Sequence, residues 1–192
     1  KVNFSFFRKY IVGDLLGTEV KDLLEILKPD YVFHCAGNSY IKKSIENPLK
    51  DFQNNSYLTF QFLNLIRELT PRTKFYFFSS AAVYGNQLVL PIKENQTLNP
   101  ISPYGFHKYI SENMCNEFSK LYSLNIVVLR IFSAYGNGLK RQIFYDLMNK
   151  FTNDEEIMLK GTGKESRDFI HVFDICKAIE LIMNTKNNLL EI

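Results

Sequence analysis

Lys74-Phe75-Tyr76-Phe77-Phe78-Ser79-Ser80 runs into Ala81-Ala82-Val83-Tyr84-Gly85, and after a polar loop Asn99-Pro100-Ile101-Ser102-Pro103-Tyr104-Gly105-Phe106-His107-Lys108 opens a helix. The first half is an apolar run of strand length that ends in two hydroxyls. In the second half Tyr104 and Lys108 are four apart, so a helix puts them on one face. A Lys ammonium beside a Tyr hydroxyl favours the phenolate and lowers the Tyr pKa. An unperturbed Tyr titrates near ~10, so service as a base near pH 7 needs a shift of roughly three units, about 4 kcal/mol. Ser80 offers a second hydroxyl to the oxygen that Tyr104 would deprotonate. Together the three groups suit conversion of an alcohol to a ketone. The bare Tyr-x-x-x-Lys pair is equally what a solvated helix face supplies in a chain rich in both residues. Order and context separate the two readings.

Outward from this stretch the elements alternate. Residues 10–12 read as a short strand ending at Gly13-Asp14. Residues 20–27 have helical periodicity and stop at Pro29. Tyr31-Val32-Phe33-His34-Cys35 is a continuous apolar run, the pattern of a buried parallel strand. A long helix is expected over 48–69, stopped by Pro71. The strand at Phe75, the Tyr104 helix to about Tyr122 and a strand over 126–132 follow. Further helices are expected over 142–151 and 174–183. This β-α-β-α order predicts a parallel, doubly wound sheet with helices on both faces. Ligands bind beyond the carboxyl ends of such strands. There the reading places Asp14, Ala36-Gly37, Ser80 and Phe132-Ser133.

Composition narrows the classes. The chain has 192 residues, enough for one domain with its own core. A formal charge of +3 does not suggest nucleic acid. The apolar runs are too short and interrupted to span a membrane, and no signal-peptide pattern opens the sequence. Cys35, Cys115 and Cys176 are odd in number and far apart, so they read as reduced, packed thiols of a cytoplasmic protein, without a disulfide frame or a metal site. His34, inside an apolar run, reads as a core histidine. His107, in the Tyr-x-x-x-Lys spacer, is expected to turn away from the site. His171 is expected to be structural and Asp174 to cap the last helix.

With the Ser80, Tyr104 and Lys108 arrangement in view, the chain resembles the extended short-chain dehydrogenase/reductase family, in its NAD-dependent nucleotide-sugar epimerase/dehydratase branch. The resemblance implies a Rossmann-like fold, a Ser80/Tyr104/Lys108 triad, bound NAD (or NADP) and a nucleotide-diphosphate sugar as substrate. It extends along most of the chain. Gly13-Asp14-Leu15 looks like the adenine-contacting segment, with Asp14 and Leu15 at the cofactor. His34-Cys35-Ala36-Gly37 looks like the segment that lies along the cofactor, through Ala36 and Gly37. Asn47-Pro48 followed by Asn54-Asn55 resembles the start of the long helix, with Asn55 bracing the cofactor site; the plain alternative is a helix-surface amide. Arg130-Ile131-Phe132-Ser133-Ala134-Tyr135-Gly136 resembles a substrate-touching segment in which Ser133 replaces the family's Asn. In the segment from Gly161 to Val172, Arg167 matches an Arg that binds the diphosphate, a task its fork suits. The alternative is a surface Arg paired with Asp168 or Glu165.

Two departures shape the expectation. No Gly-x-x-Gly-x-x-Gly turn occurs, so the cofactor's pyrophosphate lacks its usual helix N-terminus. The chain therefore reads as residues 1–192 of a Rossmann-like domain without its first strands, joined to part of a substrate region over about 133–170 and lacking the end of that domain. A molecule truly beginning at Lys1 is expected to bind NAD poorly. The implied function is a 4-epimerase-type oxidoreductase, with a 4-ketoreductase making a deoxysugar nucleotide as the alternative. A non-catalytic remnant or partner subunit is the reading of another class. Apolar residues over 52–69 and 110–122 match helices that pair across a two-fold axis in the family, which implies a homodimer.

Overall fold

A computed structural model describes residues 10–153, 156–158, 161–164, 166–184 and 190–191. The contacts divide the chain into two compact units, one of Lys1–Arg130 with Asn188–Ile192 and one of Ile131–Asn187.

The first unit is an α/β layer. Helix α1 (Thr18–Leu27) leads to strand β1 (Tyr31–His34), followed by α2 (Ile41–Glu46), α3 (Pro48–Phe52) and α4 (Leu58–Leu69). A five-residue π-helical segment, Gln53–Tyr57, joins α3 to α4, so the helix expected over 48–69 is continuous in chain but wound more loosely at its middle. Strand β2 (Lys74–Ser80), a 3₁₀ turn (Ala81–Val83), helix α5 (Pro103–Tyr122) and strand β3 (Ile126–Ile131) come next. A short β6 (Leu190–Glu191) closes the sheet order β1-β2-β3-β6, with β1 parallel to β2 and β3 parallel to β6. This is the parallel α/β architecture that the alternating pattern predicts.

The core lies where strand alternation meets helix periodicity. Phe75 and Phe77 of β2 and Ile126 and Val128 of β3 share one sheet face and pack with Leu24, Phe62, Leu63, Ile66, Cys115 and Phe118 from α1, α4 and α5. Tyr76, Val127 and Leu129, on the opposite face, are also buried.

The structure departs from three of these expectations. No strand forms at residues 10–12: Val12 is 84% exposed, so such a short apolar run gains little of the half-burial that favours a strand. The run at Tyr31 is not a buried strand. It ends at His34, pairs with β2 alone among the described residues, and buries only His34, with Phe33 42% exposed. Cys115 is a buried thiol, whose pKa is pushed up by desolvation, but Cys35 and Cys176 are exposed and not packed.

The second unit contains β4 (Ser133–Tyr135), α6 (Gln142–Thr152), β5 (Phe169–His171) and α7 (Val172–Met183). β4 and β5 pair in parallel, Ser133 opposite Phe169 and Tyr135 opposite His171. Tyr135, Phe144 and Phe169 pack ring to ring with centroids 4.6 to 6.4 Å apart. The cap of α7 is His171, whose Nδ1 accepts from the Phe173 N–H at 3.2 Å. Asp174 sits a turn further in, paired with Lys177 at 3.3 Å, and does not cap the helix. Among the described residues no helix is long and apolar enough to cross a membrane, and no group of three His, Cys, Asp or Glu side chains could hold a metal ion.

Candidate active site

The carboxyl end of β2 and the start of α5 are held together by four local features. Ser102 caps α5, its Oγ accepting from Gly105 N–H at 3.1 Å, and Pro103 takes the first position, where no N–H is needed. The Tyr104 N–H donates to Ser44 Oγ at 3.2 Å, tying the new helix to α2. Gly105 lies so close to the 3₁₀ turn that an added Cβ would stand 2.7 Å from the Ala82 carbonyl oxygen. Ser80 Oγ accepts from Ala82 N–H at 3.2 Å and so caps that turn.

Lys108 completes the junction. Its ammonium donates to the Phe78 carbonyl at 2.8 Å and lies 4.8 Å from the centre of the Phe77 ring. Burial lowers its pKa to about 8, against the pull of Cys115, Cys35, Asp51 and Glu112, which favour the charged form. Tyr104 and Lys108 are both buried. The first turns of α5, which carry Tyr104 and Lys108, thus pack on the strand end that carries Ser80: Lys108 is bonded two residues before Ser80, and Gly105 packs two residues after it.

Around this junction stand groups that spacing alone does not single out. Asp51, on α3, is buried; its carboxylate accepts from Asn38 Nδ2 at 2.8 Å and is 2.6 Å from His107 Nδ1. His107 therefore points at a buried carboxylate and not into solvent. Glu112, four residues after Lys108, forms a buried ion pair with Arg130 of β3 at 2.8 Å and accepts a hydrogen bond from Ser79. Arg130 also donates to the Tyr84 hydroxyl at 3.0 Å and the Glu94 carbonyl at 2.8 Å. The available signal was the i, i+4 spacing from Tyr104 through Lys108 to Glu112, which puts a third polar group on one helix face.

The other expected residues fall as follows. Ala36 and Gly37 are exposed just beyond β1, and Gly37 has φ +142°, a conformation open to glycine. Asn55 is 2% exposed, in the π-helical segment, which rules out a surface amide. Its Nδ2 donates to the Asp51 carbonyl at 3.1 Å, while its Oδ1 is buried with no partner. A Cβ at Gly37 would stand 2.7 Å from that same Oδ1. Asp14 is exposed and folds back locally, accepting from Leu16 N–H at 2.9 Å, while Leu15 packs against the core. His34 is buried against Thr59 Oγ1 at 3.1 Å, and burial lowers its pKa to about 4, as a neutral core histidine requires. In the second unit, Ser133 opens β4, its N–H donating to the Asp168 carbonyl at 3.1 Å, and Phe132 precedes it half-buried. Arg167 is exposed and makes no ion pair with Asp168 among the described residues; Glu165 lies outside them. A cleft of about 680 Å³ opens beside Gly37, Asn38, Lys43, Lys50, Asp51 and Asn54.

The model of the NAD dependent epimerase/dehydratase family matches residues 5–191. The chain belongs to that family. A UDP-glucose 4-epimerase from Mycoplasma genitalium is 32% identical over 98% of this chain and 59% of its own length. Among solved structures, a UDP-N-acetylglucosamine 4-epimerase from Methanobrevibacter ruminantium, in complex with UDP-N-acetylmuramic acid, superposes with a TM-score of 0.85 at 30% identity, over 95% of this chain and 60% of that one. A UDP-glucuronic acid 4-epimerase from Bacillus cereus, in complex with UDP-glucuronic acid and NAD, gives 0.84 at 27% identity, over 94% and 58%. The chain thus spans about three-fifths of the length of these family members.

Proposed function

We propose that this chain carries the catalytic part of a nucleotide-sugar 4-epimerase-type oxidoreductase that uses NAD. The observation that carries the reading is the docking of Tyr104 and Lys108, both buried on one face of α5, at the strand end that presents Ser80. The residues present also fit a dinucleotide. Gly37 leaves open a backbone approach that a Cβ would fill, and the orphaned Asn55 Oδ1 beside it offers a buried acceptor. When bound, NAD supplies the hydride acceptor and donor for the sugar carbon. Tyr104 takes the proton of the sugar 4-hydroxyl and later returns one. Lys108 holds the phenolate by charge, and Ser80 hydrogen-bonds the same oxygen. Asp14, Leu15, Ala36 and Gly37 belong to the cofactor side, and Phe132, with Ser133 and Arg167 of the region over about 133–170, to the sugar-nucleotide side. Exposed apolar residues on α4 and α5, among them Phe60, Ile110 and Tyr122, support a homodimer through these helices.

The test is Tyr104→Phe in the full-length protein, assayed with UDP-hexoses for 4-epimer formation. Turnover is expected to fall ~10²–10⁴-fold, the usual contribution of a general acid–base group, with UDP-sugar binding kept. Near-normal turnover in the variant sinks the assignment.

A further inference from the structure

Asp51 is the point where three parts of the first unit meet. Its Oδ1 takes a hydrogen bond of 2.8 Å from Asn38, in the loop after β1. Its Oδ2 faces Nδ1 of His107, 2.6 Å away on α5, three residues after Tyr104 and next to Lys108 in the chain. Its backbone carbonyl takes the Asn55 amide at 3.1 Å. The side chain of Asp51 is fully buried, and a buried carboxylate stays folded only if its oxygens are satisfied. Because a carboxylate only accepts, Nδ1 of His107 carries the proton in this pair. The ring is fixed besides: Phe52 meets it edge-on at 5.5 Å, and the His107 carbonyl accepts from Ser56 Oγ and Ser111 Oγ, each at 2.8 Å.

We propose that Asp51 and His107 are a positioning pair that ties the loop at Gly37 and Asn38 to the Tyr104–Lys108 helix, so that the loop is held in the one conformation on which a dinucleotide can lie. The pair touches neither proton nor hydride; it acts through Asn38 and α5. Gly37 needs such a clamp, because a glycine at φ +142° has no side chain of its own to hold it there. The same carboxylate favours the charged form of Lys108, which places it on the electrostatics of the site as well. The cofactor half of the inference rests on the NAD reading above, whereas the clamp itself does not.

The experiment compares wild type, His107→Phe, His107→Asn and Asp51→Asn in the full-length protein, by hydrogen exchange with mass spectrometry and by NAD titration. Phe keeps the ring packing and removes the donor. Asn removes the ring and keeps an N–H near the position of Nδ1. Asp51→Asn is isosteric and turns a donor toward one of its two donors. In His107→Phe and Asp51→Asn, exchange over 36–40 is expected to accelerate at least tenfold while β2 and β3 keep their protection. NAD is expected to bind about tenfold more weakly, equivalent to about 1.4 kcal/mol. His107→Asn is expected to recover both. Unchanged exchange over 36–40 in a folded His107→Phe, or no recovery in His107→Asn, overturns the clamp. Should His107→Phe fail to fold, unchanged exchange in Asp51→Asn overturns it equally. A wild type that ignores NAD but shows the exchange contrast keeps the clamp and removes the NAD reading.

Discussion

Lys108→Met should make the ligand-free protein more stable at neutral pH while abolishing turnover. Burial lowers the Lys108 pKa from 10.5 to about 8, so the folded chain carries this ammonium at a cost. Each unit is worth ~1.36 kcal/mol, which puts the cost near 3 kcal/mol wherever the group is charged in both states. The sign follows from proton counts. Between about pH 8 and 10.5 the unfolded chain holds the proton and the folded chain has lost it, so stability rises with pH across that window and is lost as pH falls through 8. Methionine has the length and none of the charge, and it gives up the bond to the Phe78 carbonyl, about 1 kcal/mol. The variant should therefore exceed wild type by about 2 kcal/mol at pH 7, and the advantage should vanish and reverse slightly by pH 10.5. Urea unfolding of both proteins at pH 7 and pH 10, with the m-value as control, reads the difference directly. A variant less stable than wild type at pH 7, or a difference independent of pH, would refute the account of Lys108 as a charge held at a cost for function.

Glu112→Leu should cost ~3–5 kcal/mol in the same assay, because it strands the buried Arg130 guanidinium; adding Arg130→Met should recover most of the loss. Ser102→Ala should cost about 1 kcal/mol by uncapping α5, with greater loss of turnover than of stability if the helix start sets the Tyr104 position. Ala81 and Ala82 follow the strand-end hydroxyl with no acid or base, so mass spectrometry of reactions with intact hexose donors should find no 4-keto-6-deoxy product; its appearance would contradict the epimerase assignment.

Much of the first unit was legible because its signals are local. β2 reads as a strand from its apolar run, and α5 from the helix it opens at Tyr104 and the face shared with Lys108. The parallel order follows from alternation along the chain. What local pattern misread depends on neighbours far away in sequence. Whether the Tyr31 run is buried turns on what flanks β1, and the residues themselves are the same on an edge or in the middle of a sheet. The choice of His171 over Asp174 as the cap of α7 rests on where the helix begins, a one-turn difference that propensity does not resolve.

The amino-acid sequence alone determined the alternation, the strand-end hydroxyl and the four-residue interval of Tyr104 and Lys108, since periodicity is a property of the chain. Only the tertiary structure decided that Lys108 is buried against Phe78, that Asn55 is inside and not on a surface, and that Asp51 meets Asn38 and His107. Those are contacts between residues 13 to 56 positions apart, and burial and hydrogen-bond partnership across such distances exist only once the chain has closed on itself.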